Sequence, residues 1–313
     1  MKYVLRKGIA LIVTLIFVSA FTFAAFNVIP GDPALVMLGT NASPERVEAL
    51  RKELGLNESL TKRYVTWVAN FIRGDFGKSI RFSEPVKDLV SKRIPVTVSL
   101  AILSLFIIFI IAIPLSIFAA SKEGAIIDTI INIICQINIG IPSFFLGVII
   151  ILIFGIVLKV FSPGAYVDYN EDFIGFLKYL IAPAVTIALP NIAVVVKFLR
   201  AAVIKEKRKD YVRTAYSKGN KENTVLYVHV LKNALITVIT LMGMIIAGIL
   251  GGSIIVEQIF SLPGIGNLLI TAISTRDFPL TQTLVLYLAF IVVVINFLVD
   301  VLYQVIDPRI RVR

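Results

Sequence analysis

The sequence predicts an all-α integral membrane protein of about six transmembrane helices with both termini in the cytoplasm. Three observations predict it. Of 313 residues, 58% are hydrophobic and 16% charged, with a mean hydropathy of +0.90. A soluble domain carries roughly 25% charged and about 45–50% apolar residues, and here too little polar surface exists to cover a water-soluble core. The apolar residues gather in long runs, and the basic ones lie in the connections between them. The net charge of +11 therefore reads as a topology signal, and nucleic acid is excluded as a partner.

Crossing roughly 30 Å of hydrocarbon takes about 20 helical residues. The first run with that length is Ile9 to Ile29, behind Lys2, Arg6 and Lys7. A basic start resembles a secretory signal, but the apolar stretch outruns a signal core, so the run reads as an uncleaved first helix. Segment 30–95 follows as an extracytoplasmic region with short helices. Ser43, Pro44 and Glu45 place a cap, a first-turn proline and a first-turn acid in order, predicting a helix to about Leu54 that stops at Gly55. Leu60 to Ile72 reads as a second helix, and Gly74, Gly77 and Pro85 punctuate the return to the membrane. The remaining spans run from Val96 to Ala120, Ile126 to Phe161, Tyr179 to Leu199, Ala234 to Ile255 and Leu284 to Ile306. Together they make a five-helix core, 96–313. The long third span is expected to break at Pro142, and Pro114, Pro183 and Pro190 are expected to interrupt others.

Orientation follows from charge. The cytoplasmic loop 200–232 holds Lys205, Lys207, Arg208, Lys209, Arg213, Lys218 and Lys221, and the C-terminus holds Arg309, Arg311 and Arg313. Asp168, Glu171 and Asp172 make the opposite loop acidic. The basic-inside bias puts both termini and loop 200–232 in the cytoplasm. Segment 30–95 carries 11 basic residues on the outer side, offset by 8 acidic ones, and exceeds the length over which loop charge controls topology.

Within loop 200–232, Asp210 to Ser217 reads as a short helix that Gly219 ends in a left-handed conformation. Two readings of it stand side by side: an amphipathic knob docking into a groove on another protein, or a helix lying on an anionic membrane surface. Polar residues inside the spans are costly and tend to face a watery interior. Gln136, Asn138, Ser143, Asn191, Ser253 and Asn296 are the candidates for a substrate path; the alternative for each is hydrogen bonding that glues the bundle. Glu257, at the outer end of the fifth span, could close a gate or simply be solvated, and Gly243, Gly248, Gly251 and Gly252 permit either close helix contact or a bend. One histidine, His229, and one cysteine, Cys135, leave no metal cluster, no disulfide and no constellation for an intramembrane enzyme. An ion channel or secondary transporter predicts mid-membrane charges or repeated broken helices, and neither is evident.

At Asp210–Gly219 the sequence resembles the permease subunits of binding-protein-dependent ATP-binding-cassette importers, in the branch serving dipeptides, oligopeptides and nickel. The general signature, Glu-Ala-Ala, three residues and Gly, falls on Arg213-Thr214-Ala215 and Gly219, where Ala215 and Gly219 agree. The branch form, Asp-Tyr-Val-Arg-Thr-Ala then Lys-Gly, is complete in Asp210, Tyr211, Val212, Arg213, Thr214 and Ala215 with Lys218 and Gly219. The downstream Ile-x-Leu-Pro falls on His229-Val230-Leu231-Lys232 and keeps Leu231 alone, without the proline. Further matches are Ile29-Pro30-Gly31-Asp32-Pro33, Gly74-Asp75-Phe76-Gly77-x-Ser79, Ile141-Pro142-Ser143-Phe144-Phe145-Leu146-Gly147, Leu262-Pro263-Gly264-Ile265-Gly266, Arg276-Asp277-Phe278-Pro279, Asp300-x-x-Tyr303 and Asp307-Pro308-Arg309. The resemblance implies a type I importer permease fold in the cytoplasmic membrane of a prokaryote. It implies transport of di- or oligopeptides, or alternatively of nickel or a metal chelate, delivered by an extracytoplasmic binding protein that meets segment 30–95. It also implies pairing with a second homologous permease, and coupling of Asp210–Gly219 to two cytoplasmic ATPase subunits that use ATP and Mg. The chain has no G-x-x-x-x-G-K-[ST] phosphate loop, so it is expected to bind no cofactor and to catalyse no reaction itself.

Overall fold

The computed structural model describes residues 2–28, 34–35, 43–53 and 55–306. The Ile29–Pro33 and Asp307–Arg309 motifs, Leu54, and the terminal Arg311 and Arg313 lie outside the described residues. In chain order the helices are α1 (Lys2–Val28), α2 (Pro44–Glu53), α3 (Leu60–Ile72), α4 (Val86–Ser121), α5 (Ile126–Gly140), α6 (Ser143–Ile150), α7 (Phe173–Lys207), α8 (Asp210–Ser217), α9 (Leu231–Ile259), α10 (Ile265–Ser274) and α11 (Phe278–Ile306). π-Helical turns over Ile151–Val157 extend α6, and Glu222–Thr224 with a π-helical Val225–Val230 leads into α9. No strand occurs among the described residues beyond an isolated bridge between Lys78 and Pro85.

Helices α1, α4, α7 and α11 are each long and apolar enough to cross a bilayer, and the described residues give six spans when the bent pair α5–α6 and the bent run of 222–259 that contains α9 are each counted as one. The break at Pro142 is a 101° bend. Ile141, ahead of the proline, is pushed out of the helical region to φ −89°, ψ 122°, which ends α5 at Gly140. Prolines 114, 183 and 190 do not interrupt their helices: α4 and α7 run straight through them. A proline removes one ladder bond and crowds the preceding turn, a cost that packed neighbouring helices tolerate; the side chains around the two prolines of α7 bond back to their own helix. Asn191 Nδ2 donates to the Ile187 carbonyl at 2.8 Å, and Thr186 Oγ1 to Ala182 O at 2.9 Å. Helix α9 itself bends by 53° between Ile239 and Gly243.

The chain forms two compact units, Met1–Val96 with Pro263–Val294, and Thr97–Leu262 with Ile295–Arg313. In the first unit, α1 lies against α3. Ser19 Oγ and Tyr64 Oη are 2.8 Å apart, and the Phe23 ring meets Tyr64 and Trp67 at 5.4 and 5.8 Å. The other face of α1 exposes Leu5, Ile9, Ile12, Ile16, Phe17 and Phe21, as a lipid-facing helix does. Two motifs 198 residues apart in the chain meet in this unit. Asp277, fully buried, accepts hydrogen bonds from Ser79 Oγ at 2.5 Å and from the Arg81 and Leu280 backbone N–H groups at 3.1 and 3.3 Å.

The second unit is organised around α7, which packs against α5, α6 and α9. Its buried face carries Leu180, Ala184, Ala188, Val195, Leu199 and Val203; the alanines allow neighbouring backbones to approach. Tyr179 Oη donates to Phe260 O at 2.8 Å and accepts from Gly164 N–H at 3.0 Å, tying the α6–α7 connection to the end of α9. Glycine at 155 is required by packing, because a Cβ there would stand 2.7 Å from Pro163 Cγ. At Gly243 an added Cβ would stand 2.6 Å from Asn296 Oδ1, the end of an exposed side chain that can swing aside, whereas Cβ atoms at Gly248, Gly251 and Gly252 would meet nothing within 4 Å. Glu257 is not solvated: it is fully buried and accepts a 2.8 Å hydrogen bond from Thr97 Oγ1.

Candidate functional site

Loop 200–232 is built as a short helix held at both ends by its own chain. Helix α7 stops at Lys207, with Arg208 still in the helical region, and Lys209 then turns extended at φ −81°, ψ 151°. α8 begins at Asp210, whose carboxylate sits at the positive end of the helix dipole. At the other end Gly219 adopts φ +80°, a conformation that costs an L side chain about 1–2 kcal/mol. That turn lets Gly219 N–H reach Tyr216 O at 2.9 Å, while the Asn220 side chain caps Ala215 O at 3.0 Å. The segment continues into the π-helical Val225–Val230 and then α9, with Leu231 its first residue and no proline at Lys232 to set a new start.

Val212 and Ala215, one helical turn apart, are buried and face the chain itself, where α8 packs against the π-helical segment. Asp210, Arg213, Thr214, Tyr216, Ser217, Lys218 and Gly219 are exposed. Tyr211 bridges two helices: its hydroxyl donates to Glu206 Oε2 at 2.8 Å and accepts from Asn233 Nδ2 at 3.0 Å. Burial first, then the bond to Glu206, raises the Tyr211 phenol above its ordinary value, so it stays a donor. Lys209 Nζ closes on the other oxygen of Glu206 at 2.5 Å. The knob is thus a fixed surface with a defined outward face.

The loop is also fastened to the turn between α4 and α5. Lys207 Nζ reaches Ala120 O at 3.3 Å, and Arg208 pairs with Glu123 at 2.8 Å. Deeper in, Arg200 grips Asp128 with two parallel hydrogen bonds of 2.5 Å, and the same carboxylate accepts from Gly124 N–H and Asn132 Nδ2. Asp128 is buried, at 4% side-chain exposure, and Arg200 is part-buried, at 20%. Sequence reasoning passed over Asp128, Glu206 and Lys197. For Asp128 and Lys197 the available signal was a charge inside an apolar span, which is expensive unless partnered; Glu206 sits in the highly charged 205–210 stretch, where no such signal exists.

All six candidates for the substrate path lie in the second unit. Gln136 is exposed, and its Oε1 accepts a 2.8 Å hydrogen bond from Lys197 Nζ. Asn138 and Ser143 are half-buried on either side of the Pro142 break. Asn191 bonds to its own helix, as does the buried Ser253, to Leu250 O at 2.9 Å. Asn296 is exposed and stands against Gly243. Among the described residues no two of the six hydrogen-bond to each other. His229 is half-buried in the π-helical segment and Cys135 is buried on α5.

Comparison with known proteins gives two family matches that together span nearly the whole chain. Residues 112–312 match the binding-protein-dependent transport system inner membrane component, and residues 1–101 match the N-terminal region of a binding-protein-dependent transport system membrane component. A Brucella abortus permease protein named for a peptide transport system is 38% identical over 308 residues, covering 98% of each chain. The oligopeptide transport system permease protein AppB of Bacillus subtilis is 35% identical over 312 residues, and the dipeptide transport system permease protein DppB of Alkalihalophilus pseudofirmus is 32% identical over 332. Both alignments cover 99% of each chain.

Proposed function

The chain belongs to the inner membrane components of binding-protein-dependent transport systems, and from that premise we propose that it moves di- and oligopeptides as one permease subunit of an ATP-driven importer. It is a transport subunit, multi-pass in the bacterial cytoplasmic membrane. The peptide cargo is supported by its full-length relatives, whose names specify peptide, oligopeptide and dipeptide systems, and this favours peptide over nickel.

The observation that carries the mechanism is α8: a short helix fixed by Gly219, Asn220 and the Glu206–Tyr211–Asn233 chain, with Arg213, Thr214, Tyr216 and Ser217 facing outward. In the proposed mechanism this face seats in a cleft of a cytoplasmic ATPase, while Val212 and Ala215 anchor the helix to the permease. Closure of two ATPases around ATP and Mg then moves α8. The Arg208–Glu123 and Arg200–Asp128 pairs pass that movement to the start of α5. Both termini lie on the ATPase side in this reading, and a second, homologous permease completes the path. Gln136, Asn138, Ser143, Asn191, Ser253 and Asn296 are proposed to line this chain's share of it. The extracytoplasmic binding protein docks on the surface contributed by segment 30–95.

The test is reconstitution of the permease pair, the ATPases and the binding protein in proteoliposomes. ATP-dependent accumulation of a labelled dipeptide or oligopeptide is the expected result. Accumulation of nickel, with no peptide uptake across a panel of lengths, would sink the peptide reading.

A further inference from the structure

Two cations lie one turn apart near the inner end of the membrane-spanning part of α7, and the structure treats them differently. Arg200 is neutralised by the bidentate carboxylate of Asp128. Lys197 meets no carboxylate among the described residues; its ammonium is exposed and hydrogen-bonded to the neutral Gln136 Oε1 at 2.8 Å. An ammonium group in a spanning segment is costly unless it is paired or wetted.

A bland explanation is available for such a lysine: the long side chain bends back to the inner headgroups. The geometry opposes it. Asp128, Arg200's partner, is in the first turn of α5, whereas Gln136 is eight residues further along, about 12 Å at 1.5 Å per residue. Lys197 precedes Arg200 by three residues, about 4.5 Å along α7. The two pairs therefore diverge by about 7 Å, a gap that the Lys197 and Gln136 side chains close between them, which requires Lys197 to lean away from the cytoplasmic end rather than back toward it. Helical side chains tilt toward their helix N-terminus, which in α7 is the same direction. Lys197 thus presents a positive charge to the inside of the bilayer region, held in place by an amide oxygen.

We propose that Lys197, oriented by Gln136, is a carboxylate-recognition point on the inner half of the translocation path, engaging the C-terminal carboxylate of the peptide in transit. This rests on the peptide reading above. A carboxylate is the charge complement that the site lacks, and every unmodified peptide carries one at its end. Gln136 keeps the ammonium extended while leaving its other two N–H donors for the ligand. A transient, single-point contact suits a path from which cargo must also leave.

The test uses the complete importer in proteoliposomes with one peptide in two forms, free acid and C-terminal amide, chosen so that the binding protein holds both with comparable affinity. Lys197→Met is expected to lower uptake of the acid about tenfold more than uptake of the amide. Lys197→Arg keeps the preference for the acid, and Gln136→Leu weakens it. Equal losses for both forms in Lys197→Met would overturn the proposal in favour of a structural role, and no loss for either would overturn it outright. A Lys197→Met defect that vanishes when anionic lipid is replaced by phosphatidylcholine would assign the ammonium to a headgroup instead. If the wild-type importer moves neither form, the peptide reading itself fails, whereas uptake of both forms at equal rates defeats the present inference alone.

Discussion

Removing the Asp128 carboxylate leaves the part-buried Arg200 guanidinium without its counter-charge. Asp128→Asn keeps the shape but not the charge, and also weakens the acceptors for Gly124 N–H and Asn132. Breaking a buried ion pair from one side costs about 3–5 kcal/mol. Arg200 retains 20% exposure and can recruit some water, which places the expected loss near the lower end, about 3 kcal/mol. For a chain of this size that is a fall of about 5 °C in thermal midpoint. Arg200→Met is expected to cost as much, because it strands the carboxylate instead. The double variant removes both charges and should recover part of the loss, a non-additive signature of direct contact. Cys135 supplies the assay: it is the sole cysteine, 5% exposed, and two turns along α5 from Asp128. A fluorogenic maleimide will label it as the bundle opens on heating. Midpoints within 1 °C of wild type for both single variants, or strictly additive losses in the double, would refute the clamp.

Gly219→Ala forces a side chain into φ +80° and should cost about 1 kcal/mol locally; co-purification of the ATPase subunits is expected to fall while membrane insertion, read by labelling, does not. Ser79→Ala removes a hydrogen bond to the buried Asp277, about 1.5–3 kcal/mol for a charged acceptor, and limited proteolysis should cut the 74–85 loop sooner. Gly155→Ala places a methyl 2.7 Å from Pro163 Cγ; overpacking of about 1–3 kcal/mol should lower the thermal midpoint in detergent.

The parts of the fold that the sequence announced are those decided within a few residues. α2 opens at Pro44 behind Ser43, α3 spans Leu60–Ile72, and α8 spans Asp210–Ser217 with Gly219 left-handed behind it. In each case a cap, a proline or a glycine sets the boundary locally. Pro142 broke its span for the same reason, through the extended Ile141 before it. Pro114, Pro183 and Pro190 look identical in sequence, yet their helices continue, because a spanning helix keeps its course where neighbouring helices pack around the proline. α4 begins at Val86, ten residues ahead of the apolar run, since a helix need not end where hydrocarbon does.

The site divides in the same way. The residues of α8 were legible from motif and capping, but their division into an inward pair, Val212 and Ala215, and an outward face needed the packing of the π-helical segment. Asp128 and Arg200 lie 72 residues apart, and Ser79 and Asp277 lie 198 apart. Nothing in either local pattern names the partner. Lys197 and Gln136 belong together only once α5 and α7 are placed side by side, 61 residues apart in the chain.

Coupling through α8 is open to direct measurement. In a Cys135→Ser background, Ser217→Cys on the outward face of α8 gives a single thiol, and Glu171→Cys gives a control in the acidic loop assigned to the opposite side. With the assembled importer, a short bismaleimide should join residue 217 to an ATPase subunit, with a yield that changes on adding ATP, and should join residue 171 to none. An ATPase cross-link from residue 171 with none from residue 217 would contradict both the docking role of α8 and the orientation of the chain.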